Sequence, residues 1–132
     1  MSITYHTDRR PTAAEIIALY DSAGLNRPTD DAARIAAMYA GSDVVVTAYA
    51  GDRLVGVSRS LTDWHWNCYL ADLAVHADHQ RRGIGRALID RTHAVVGPRV
   101  MLHLIAAPAA LDYYGKVDMR ERPGCFVRDR RE

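Results

Sequence analysis

The 132-residue sequence lacks the features that mark secreted and membrane proteins. The N-terminal stretch MSITYHTDRR has no apolar core that could act as a signal peptide. No apolar run approaches the ~20 residues that a membrane-spanning helix needs. The only two cysteines, Cys68 and Cys125, are far apart and form neither a metal-binding pattern nor a dense disulfide framework. Reduced thiols are favoured over a single bridge, and we expect a cytoplasmic protein with no membrane partner.

A charge excess of either sign is also missing. The 17 basic and 16 acidic residues leave a formal net charge of +1. This balance gives no electrostatic reason to expect binding of nucleic acid or of an acidic membrane. The composition is 48% hydrophobic and 25% charged, which is ordinary for a globular protein. We expect one domain over residues 1–132, long enough to bury a core.

Capping residues and periodicity predict two helices near the N-terminus, after a short first strand. Thr12 and Glu15 have the spacing of a capping box at the start of the first helix. The second helix has Thr29 or Asp30 as its expected N-cap and ends at Gly41.

The middle of the chain predicts strands and a third helix. Two strand-like runs flank AGDR, a turn of the kind that two-residue hairpin loops prefer. The next run, CYLADLAV, is apolar on both faces except at Asp72, which suits a strand buried within a sheet. The helix that follows carries Ile84, Leu88, Thr92 and Val95 on one face.

The last third of the chain predicts another buried strand (RVMLHLIAA), a short helix (PAALDYYGKV) and one or two short edge strands in the tail DMRERPGCFVRDRRE. The order of elements is then β-α-α-β-β-β-α-β-α-β(-β). The third helix and its flanking strands resemble a parallel crossover, whereas the hairpin before them is antiparallel. The expected fold class is α/β (α+β), a mixed and mostly antiparallel sheet with helices on both faces.

The junction between the buried strand and the third helix reads HADHQRRGIGRALID. A helix N-terminus presents unpaired N–H groups and the positive end of the helix dipole, so it can bind an anion. Gly83 and Gly85 would let the backbone approach an oxyanion, and Arg81 and Arg82 could add charge-assisted contacts. The junction therefore suits a diphosphate. The alternative is a tight glycine turn with solvated arginines, since neither the P-loop nor the dinucleotide fingerprint is present.

The six residues Gln80-Arg81-Arg82-Gly83-Ile84-Gly85 follow a buried strand and open a helix. In this position they resemble the acyl-CoA signature of the GNAT superfamily of N-acyltransferases. LADLAVHADH is similar to the fourth strand of that family, and the order of elements is similar over essentially the whole chain. The resemblance implies an N-acetyltransferase that moves an acetyl group from acetyl-CoA to the primary amine of a small molecule or a peptide, by direct attack in a ternary complex.

The resemblance also implies a cofactor site. In this family the fourth strand carries a bulge and splays from the fifth strand, which makes a V-shaped slot for the pantetheine arm. The backbone N–H of Leu73 would polarise the thioester carbonyl, and the loop N–H groups would hold the pyrophosphate. The implied cofactor-binding residues are Leu73, Ala74, Val75, Gln80, Arg81, Arg82, Gly83, Ile84, Gly85 and Arg86.

Acyl transfer also needs a proton for the departing CoA sulfur. Family members often use a tyrosine after the fifth strand, in a pattern like FYEKLGF, and YYGKVDM corresponds to it here. By this resemblance Tyr114 is the general acid, catalytic together with Leu73, and Tyr113 takes the aromatic core position. A tyrosine stays protonated at neutral pH and can donate to a thiolate. Three residues of the stretch depart from the pattern, so Tyr113 is an alternative acid, and a structural role for both tyrosines is another.

The amine must lose a proton before it attacks. Asp63, His65 and Asp72 are the candidate bases, directly or through water. For Asp72 a structural interaction, such as a salt bridge to Arg59, is favoured over catalysis, because a carboxylate in an apolar strand needs a partner. The candidate substrate-binding residues are Asp63, Trp64, His65 and Asp72.

Other aromatic and imidazole side chains leave alternatives open. Trp64 and Trp66 could line an amine pocket, or they could form a homodimer contact. His76, His79 and His103 do not form a convincing metal site, because a polar loop and a buried strand are sufficient reasons for them. We expect no metal.

Two other functions compete with the enzyme. The substitutions around Tyr114 favour a CoA-binding sensor or interaction module with a degenerate active site. A nucleotide-binding domain that uses the loop for ATP has little support, because no Lys-Ser/Thr pair follows the glycines.

Overall fold

The computed structural model describes residues 2–132, which contain five strands and four α-helices. The strands are β1 (Ile3–His6), β2 (Val44–Ala50), β3 (Arg53–Thr62), β4 (Asn67–Val75) and β5 (Met101–His103). The helices are α1 (Ala13–Ala23), α2 (Ala32–Ala40), α3 (Ile84–Val96) and α4 (Leu111–Gly115). The sheet order is β1-β2-β3-β4-β5, antiparallel throughout except for the parallel pair β4 and β5. The expected mixed, mostly antiparallel sheet is confirmed.

Helix α1 begins and ends at the residues that its sequence indicates. The backbone N–H of Glu15 donates to the Thr12 hydroxyl at 3.2 Å, and the Glu15 carboxylate accepts from the Thr12 N–H at 3.0 Å. These reciprocal bonds are the predicted capping box. The helix ends at Gly24, whose φ of 73° lies in the left-handed region that glycine adopts without strain.

Helix α2 begins later than expected. Its N-cap is Asp31, whose carboxylate accepts from the Arg34 N–H at 3.0 Å. The expected caps, Thr29 and Asp30, are wrong, because a bond from the Asp31 N–H to the Pro28 carbonyl holds both in the preceding turn. Gly41 ends the helix as predicted.

Two apolar cores lie on opposite faces of the sheet. Helices α1 and α2 cover one face, with Ile16, Leu19, Tyr20, Ile35 and Tyr39 buried there. Helix α3 covers the other face through Ile84, Leu88 and Val96. Val95, expected on that buried face, is 39% exposed. The buried residues recur at every fourth position, so Val96 occupies the place that was assigned to Val95.

The C-terminal part differs from the sequence prediction. The strand β5 has three residues and lies at the sheet edge, with Met101 45% exposed, so the expectation of a long buried strand is wrong. The expected edge strands of the tail are also absent from residues 118–132. Pro123 cannot donate to a strand ladder, and Phe126, at 95% exposure, has no apolar surface to cover it.

The turn between β2 and β3 and the state of both cysteines agree with the sequence predictions. Gly51 and Asp52 connect β2 to β3, which confirms the predicted hairpin. Cys68 is buried and Cys125 is exposed, and both are free thiols as expected. Within residues 2–132, no helix combines the length and the apolar character that crossing a membrane requires.

Candidate active site

The strand β4 contains a bulge at its centre. Arg59 of β3 pairs with Asp72 whereas Ser60 pairs with Leu70, so Ala71 is an extra residue in β4. Leu70 therefore packs against Ile89 on the α3 face, while Asp72 faces α1 and α2. In a regular strand these two positions would share one face. The bulge expected from the family resemblance is confirmed.

The strands β4 and β5 separate immediately beyond their first three pairs. The last pair joins Tyr69 to His103, and β5 ends there. From Leu70 to Val75, β4 is paired only with β3 within the described chain. The backbone of Leu73, Ala74 and Val75 thus borders an open gap on the β5 side, as expected for splayed strands.

The loop after β4 has the backbone shape of an anion cradle. Arg81 and Gly83 both have positive φ, 63° and 81°, and Arg82 between them does not. Such alternation turns successive N–H groups toward one point. The Gln80 side-chain amide donates to the Val75 carbonyl at 3.0 Å, which fixes the loop to the end of the strand.

The first turn of α3 continues this cradle. Gly83 is its N-cap and provides no side-chain hydrogen bond to the helix. The N–H groups of Ile84, Gly85 and Arg86 therefore face outward without a capping side chain, at the positive end of the helix dipole. Residues 80–86 include three arginines and no acidic residue. The residues present fit a diphosphate.

Gly85 leaves room for a tyrosine. A Cβ at this position would overlap the hydroxyl oxygen of Tyr113. Tyr113 thus reaches from α4 to the first turn of α3 and is 38% exposed, so the expected core position for this residue is wrong. Burial of part of the ring raises the pKa of Tyr113, so the hydroxyl is protonated at neutral pH.

Tyr114 lies at the gap between β4 and β5. Its half-buried ring packs against the cluster of Leu70, Ile89 and Val117, which Leu73 also contacts. The structure therefore brings Tyr114 and Leu73 to the same cluster. Burial, and then the neighbouring Tyr113, raises the pKa of Tyr114, so this hydroxyl too is a proton donor at neutral pH.

Asp72 is the centre of a buried polar network. Its side chain is fully inaccessible and accepts from Arg59 at 2.8 Å, from Arg27 at 2.6 Å and from the Tyr20 hydroxyl at 2.7 Å. The Tyr20 hydroxyl also lies 2.5 Å from that of Tyr39. The expected Arg59–Asp72 salt bridge is confirmed.

This network keeps Asp72 ionised. Burial alone would raise the pKa of Asp72, but the hydrogen bonds from Arg59 and Tyr20, with the charges of Arg59 and Arg27, outweigh it and lower that pKa. Both carboxylate oxygens already accept charge-assisted bonds. Because the side chain is also fully inaccessible, the geometry is that of a structural anion and not of a base that a substrate contacts.

Arg27 is a residue that the sequence did not single out for this role. It lies between α1 and α2, and its second guanidinium nitrogen donates to the carbonyl of the bulged Ala71 at 2.8 Å. Arg27 thus holds the α1–α2 connector against the bulge of β4. The available signal was an isolated aspartate in an apolar strand, which needs more than one donor when fully buried.

The loop between β3 and β4 lies at the other end of β4. One oxygen of Asp63 accepts from the backbone N–H groups of Trp66, Asn67 and His65, which lowers the pKa of Asp63 to about 2. From Asn67 to Leu73 the strand extends about 17 Å at the usual rise per residue, since one of the six steps is the bulge. Asp63, Trp64 and His65 therefore lie far from the gap at Leu73, and only Asp72 of the four candidate substrate residues is near it.

The remaining aromatic and histidine candidates lie in different parts of the structure. Trp66, 72% exposed, lines a cavity of about 320 Å³ with Arg99, Met101 and Arg122, next to the start of β5. His76 and His79 contact each other edge to face after β4, whereas His103 ends β5. Within residues 2–132, no three His, Cys, Asp or Glu side chains form a group that could hold a metal.

Comparisons with solved structures support the fold. A Staphylococcus aureus protein described as a probable acetyltransferase is 21% identical, with a TM-score of 0.81 over 97% of this chain and 100% of the other. A GNAT family acetyltransferase of Streptococcus pneumoniae is 21% identical, with a TM-score of 0.73 over 99% and 100% of the two chains. An aminoglycoside acetyltransferase from an uncultured soil metagenomic sample is 20% identical, with a TM-score of 0.73 over 98% and 97%.

By sequence, no curated protein matches the chain. The model of the acetyltransferase (GNAT) family, in contrast, matches residues 10–117, which include α1, the bulged β4, the cradle and α4. The chain belongs to the GNAT family of acetyltransferases.

Proposed function

We propose that the protein is an N-acetyltransferase that transfers acetyl from acetyl-CoA to a primary amine in a ternary complex. The observation that carries this proposal is the continuity of two features. The open side of β4 from Leu70 to Val75 leads directly into the cradle of residues 80–86. A slot that ends in a cluster of backbone N–H groups suits a long thiol ester with a diphosphate at its far end.

The residues of the chain have distinct tasks in this proposal. The N–H groups of residues 81–86 and the guanidiniums of Arg81 and Arg82 bind the diphosphate. The N–H of Leu73 donates to the carbonyl oxygen of the thioester and stabilises the negative charge that develops there. The Tyr114 hydroxyl donates a proton to the sulfur as the thiolate leaves. Bound acetyl-CoA supplies the acetyl group as an activated ester.

The acceptor is tested with amines of different size and charge. One structural neighbour, an aminoglycoside acetyltransferase, has been solved with sisomicin. Sisomicin therefore belongs in the panel, together with phenylethylamine, spermidine and a short lysine peptide. We expect at least one of these to give CoA release that depends on the amine, followed with a thiol reagent.

Thermal unfolding tests the cofactor separately from the amine. A ligand that binds only the folded state, at a hundredfold excess over its Kd, adds about 2.7 kcal/mol of stability. We expect this stabilisation with acetyl-CoA and none with ATP or NAD. Stabilisation without amine-dependent CoA release would favour the CoA-binding sensor instead. No stabilisation would leave the loop as a glycine turn with solvated arginines.

Removal of the Tyr114 hydroxyl is expected to slow the chemical step. Tyr114→Phe keeps the ring in its cluster, so binding of acetyl-CoA and the unfolding midpoint should stay close to those of the unmodified chain. The turnover number should fall by roughly a hundredfold, the order that general acids contribute. Tyr113→Phe is the matched control, because it removes the adjacent hydroxyl. A larger loss for Tyr113→Phe than for Tyr114→Phe would assign the proton to Tyr113.

A further inference from the structure

The Tyr113 side chain lies beside the cradle of residues 80–86 but has no task in the proposed reaction. It reaches from α4 to Gly85, the second residue of α3. A Cβ on Gly85 would overlap the Tyr113 hydroxyl oxygen and would lie 3.2 Å from the ring carbon that bears it. Since a Cα–Cβ bond is about 1.5 Å long, the hydroxyl oxygen lies within about 4 Å of the Gly85 Cα. The glycine therefore admits the hydroxyl to the surface of the first helical turn.

The hydroxyl occupies the side of Gly85 that faces the start of the helix. In an α-helix every Cα–Cβ bond tilts toward the N-terminus, where the first-turn N–H groups have no partner in the helix. The N-cap, Gly83, lies only about 3 Å back along the axis at the usual rise per residue. A Cβ built on Gly83 would meet no protein atom within 4 Å, so the space in front of it is open. An anion in that space would have the Tyr113 hydroxyl at its border.

The Tyr113 hydroxyl is available as a hydrogen-bond donor. Burial raises the pKa of Tyr113 more than the nearby charge of Arg86 lowers it, so the group is a neutral phenol at neutral pH. Within residues 2–132 the hydroxyl makes no hydrogen bond to a protein group. A neutral phenol without a protein partner can donate to an anionic oxygen, and such charge-assisted bonds are among the stronger ones in proteins.

We infer that Tyr113 is a cofactor-binding residue whose hydroxyl donates a hydrogen bond to the diphosphate of acetyl-CoA. This inference rests on the proposed N-acetyltransferase function. The N–H groups of the loop and of the first turn of α3 bind the phosphate oxygens from the helix side, and the hydroxyl binds them from the side of α4. Gly85 is required at its position because any side chain there would displace the hydroxyl.

The same contact links the cofactor to the proposed acid. The rings of Tyr113 and Tyr114 meet edge to face, with their centroids 5.2 Å apart and their planes inclined by 79°. Helix α4 has only five residues and no side-chain hydrogen bond at its N-cap. A hydrogen bond from Tyr113 to the diphosphate therefore holds α4, and with it the Tyr114 ring, against the slot. Tyr113→Phe keeps the ring contact, so its turnover number at saturating acetyl-CoA should fall less than that of Tyr114→Phe.

Acyl donors that differ in their phosphates isolate this hydrogen bond. Acetyl-CoA and acetyl-dephospho-CoA both carry the diphosphate, whereas acetyl-pantetheine carries no phosphate. We expect Tyr113→Phe to raise the Kd of the first two by roughly tenfold or more, the order of a hydrogen bond to a charged group, and that of acetyl-pantetheine by less than about twofold. Calorimetric titration measures the first two donors, and competition against acetyl-CoA measures acetyl-pantetheine. Tyr5→Phe is the matched control, because Tyr5 also contacts α3, with the Arg91 guanidinium 4.3 Å from its ring centre. This control should leave all three Kd values unchanged.

Gly85→Ala tests the contact from its other side. The added methyl group must displace the Tyr113 hydroxyl, so we expect the Kd of acetyl-CoA to rise roughly tenfold, as in Tyr113→Phe. Added to Tyr113→Phe, the same alanine should cost less than about twofold more, because the hydroxyl is already absent. Losses that multiply in the double variant would overturn the relation between the two residues, since the methyl group would then block the cradle directly.

The remaining outcomes separate the role of Tyr113 from the proposed function. An unchanged Kd of acetyl-CoA in Tyr113→Phe would overturn the assignment. An equal loss for acetyl-pantetheine would do so too, because the ring and not a bond to phosphate would then be responsible. Thermal unfolding of each variant without ligand checks that the fold is retained. Failure of the unmodified chain to bind acetyl-CoA would instead refute the proposed function, and the role of Tyr113 with it.

Discussion

Asp72→Asn is expected to lower the free energy of unfolding by about 3–5 kcal/mol, the usual cost of removing one partner from a buried ion pair. The substitution removes the negative charge that two guanidiniums share and leaves Arg59, 11% exposed in its side chain, without a counter-charge. An asparagine amide group would also place a second donor against the donors of Arg27 or Arg59. Urea unfolding followed by tryptophan fluorescence measures the difference.

An exposed aspartate provides the control for this substitution. Asp90 lies 3.7 Å from Arg86 and is 62% exposed, so Asp90→Asn should change the free energy of unfolding by less than about 0.5 kcal/mol. A loss below about 1 kcal/mol for Asp72→Asn would mean that the network contributes little, and that Arg59 and Arg27 find other partners when the charge is removed.

The pH dependence of the free energy of unfolding is a second measurement that distinguishes Asp72→Asn from the unmodified chain. The pKa of Asp72 is lower in the folded state than the value near 3.9 of an unfolded chain. Its contribution is therefore fully present above pH ~4 and is lost as the pH falls through the folded-state pKa. The unmodified chain should lose stability more steeply below that pH than Asp72→Asn does. Parallel acid limbs would contradict the ionised state assigned to Asp72.

The local elements of the fold could be read from the sequence because their causes are local. The capping box of Thr12 and Glu15 and the turn at Gly51 each involve residues within a few positions of one another. The strand β5 and the tail could not be read this way. An apolar run has the same sequence pattern whether a strand pairs with it on one side or on both. RVMLHLIAA therefore did not show whether its strand lies at the edge or in the centre of the sheet.

In the candidate site, too, features made by neighbouring residues were predictable and contacts between distant residues were not. The cradle was predictable, since glycine spacing and the strand-to-helix transition are adjacent in sequence. The partners of Asp72 were predictable only in part, because Arg27 is separated from it by 45 residues. The exposure of His103 was not predicted, because a buried strand seemed sufficient to explain that residue. Its exposure follows from the early end of β5, and strand ends are the least predictable feature of a sequence.

Gly83→Asp is expected to weaken binding of acetyl-CoA at least a hundredfold while the fold survives. Gly83 has a φ of 81°, and a Cβ built there would meet no protein atom within 4 Å. The packed structure therefore accommodates a side chain at the cost of local backbone strain. The carboxylate, however, would stand beside the N–H groups that are proposed to hold the diphosphate, and it would repel that group.

Gly83→Asn separates charge from shape. Asparagine tolerates the left-handed conformation better than most residues and has nearly the volume of aspartate, but it carries no charge. We expect Gly83→Asn to keep most of the stabilisation by acetyl-CoA in thermal unfolding and Gly83→Asp to show none. Equal losses in both variants would indicate that bulk, and not charge, blocks the cradle. Undiminished affinity in Gly83→Asp would mean that the diphosphate does not bind at the start of α3, because no anion would tolerate a fixed carboxylate within its own set of donors.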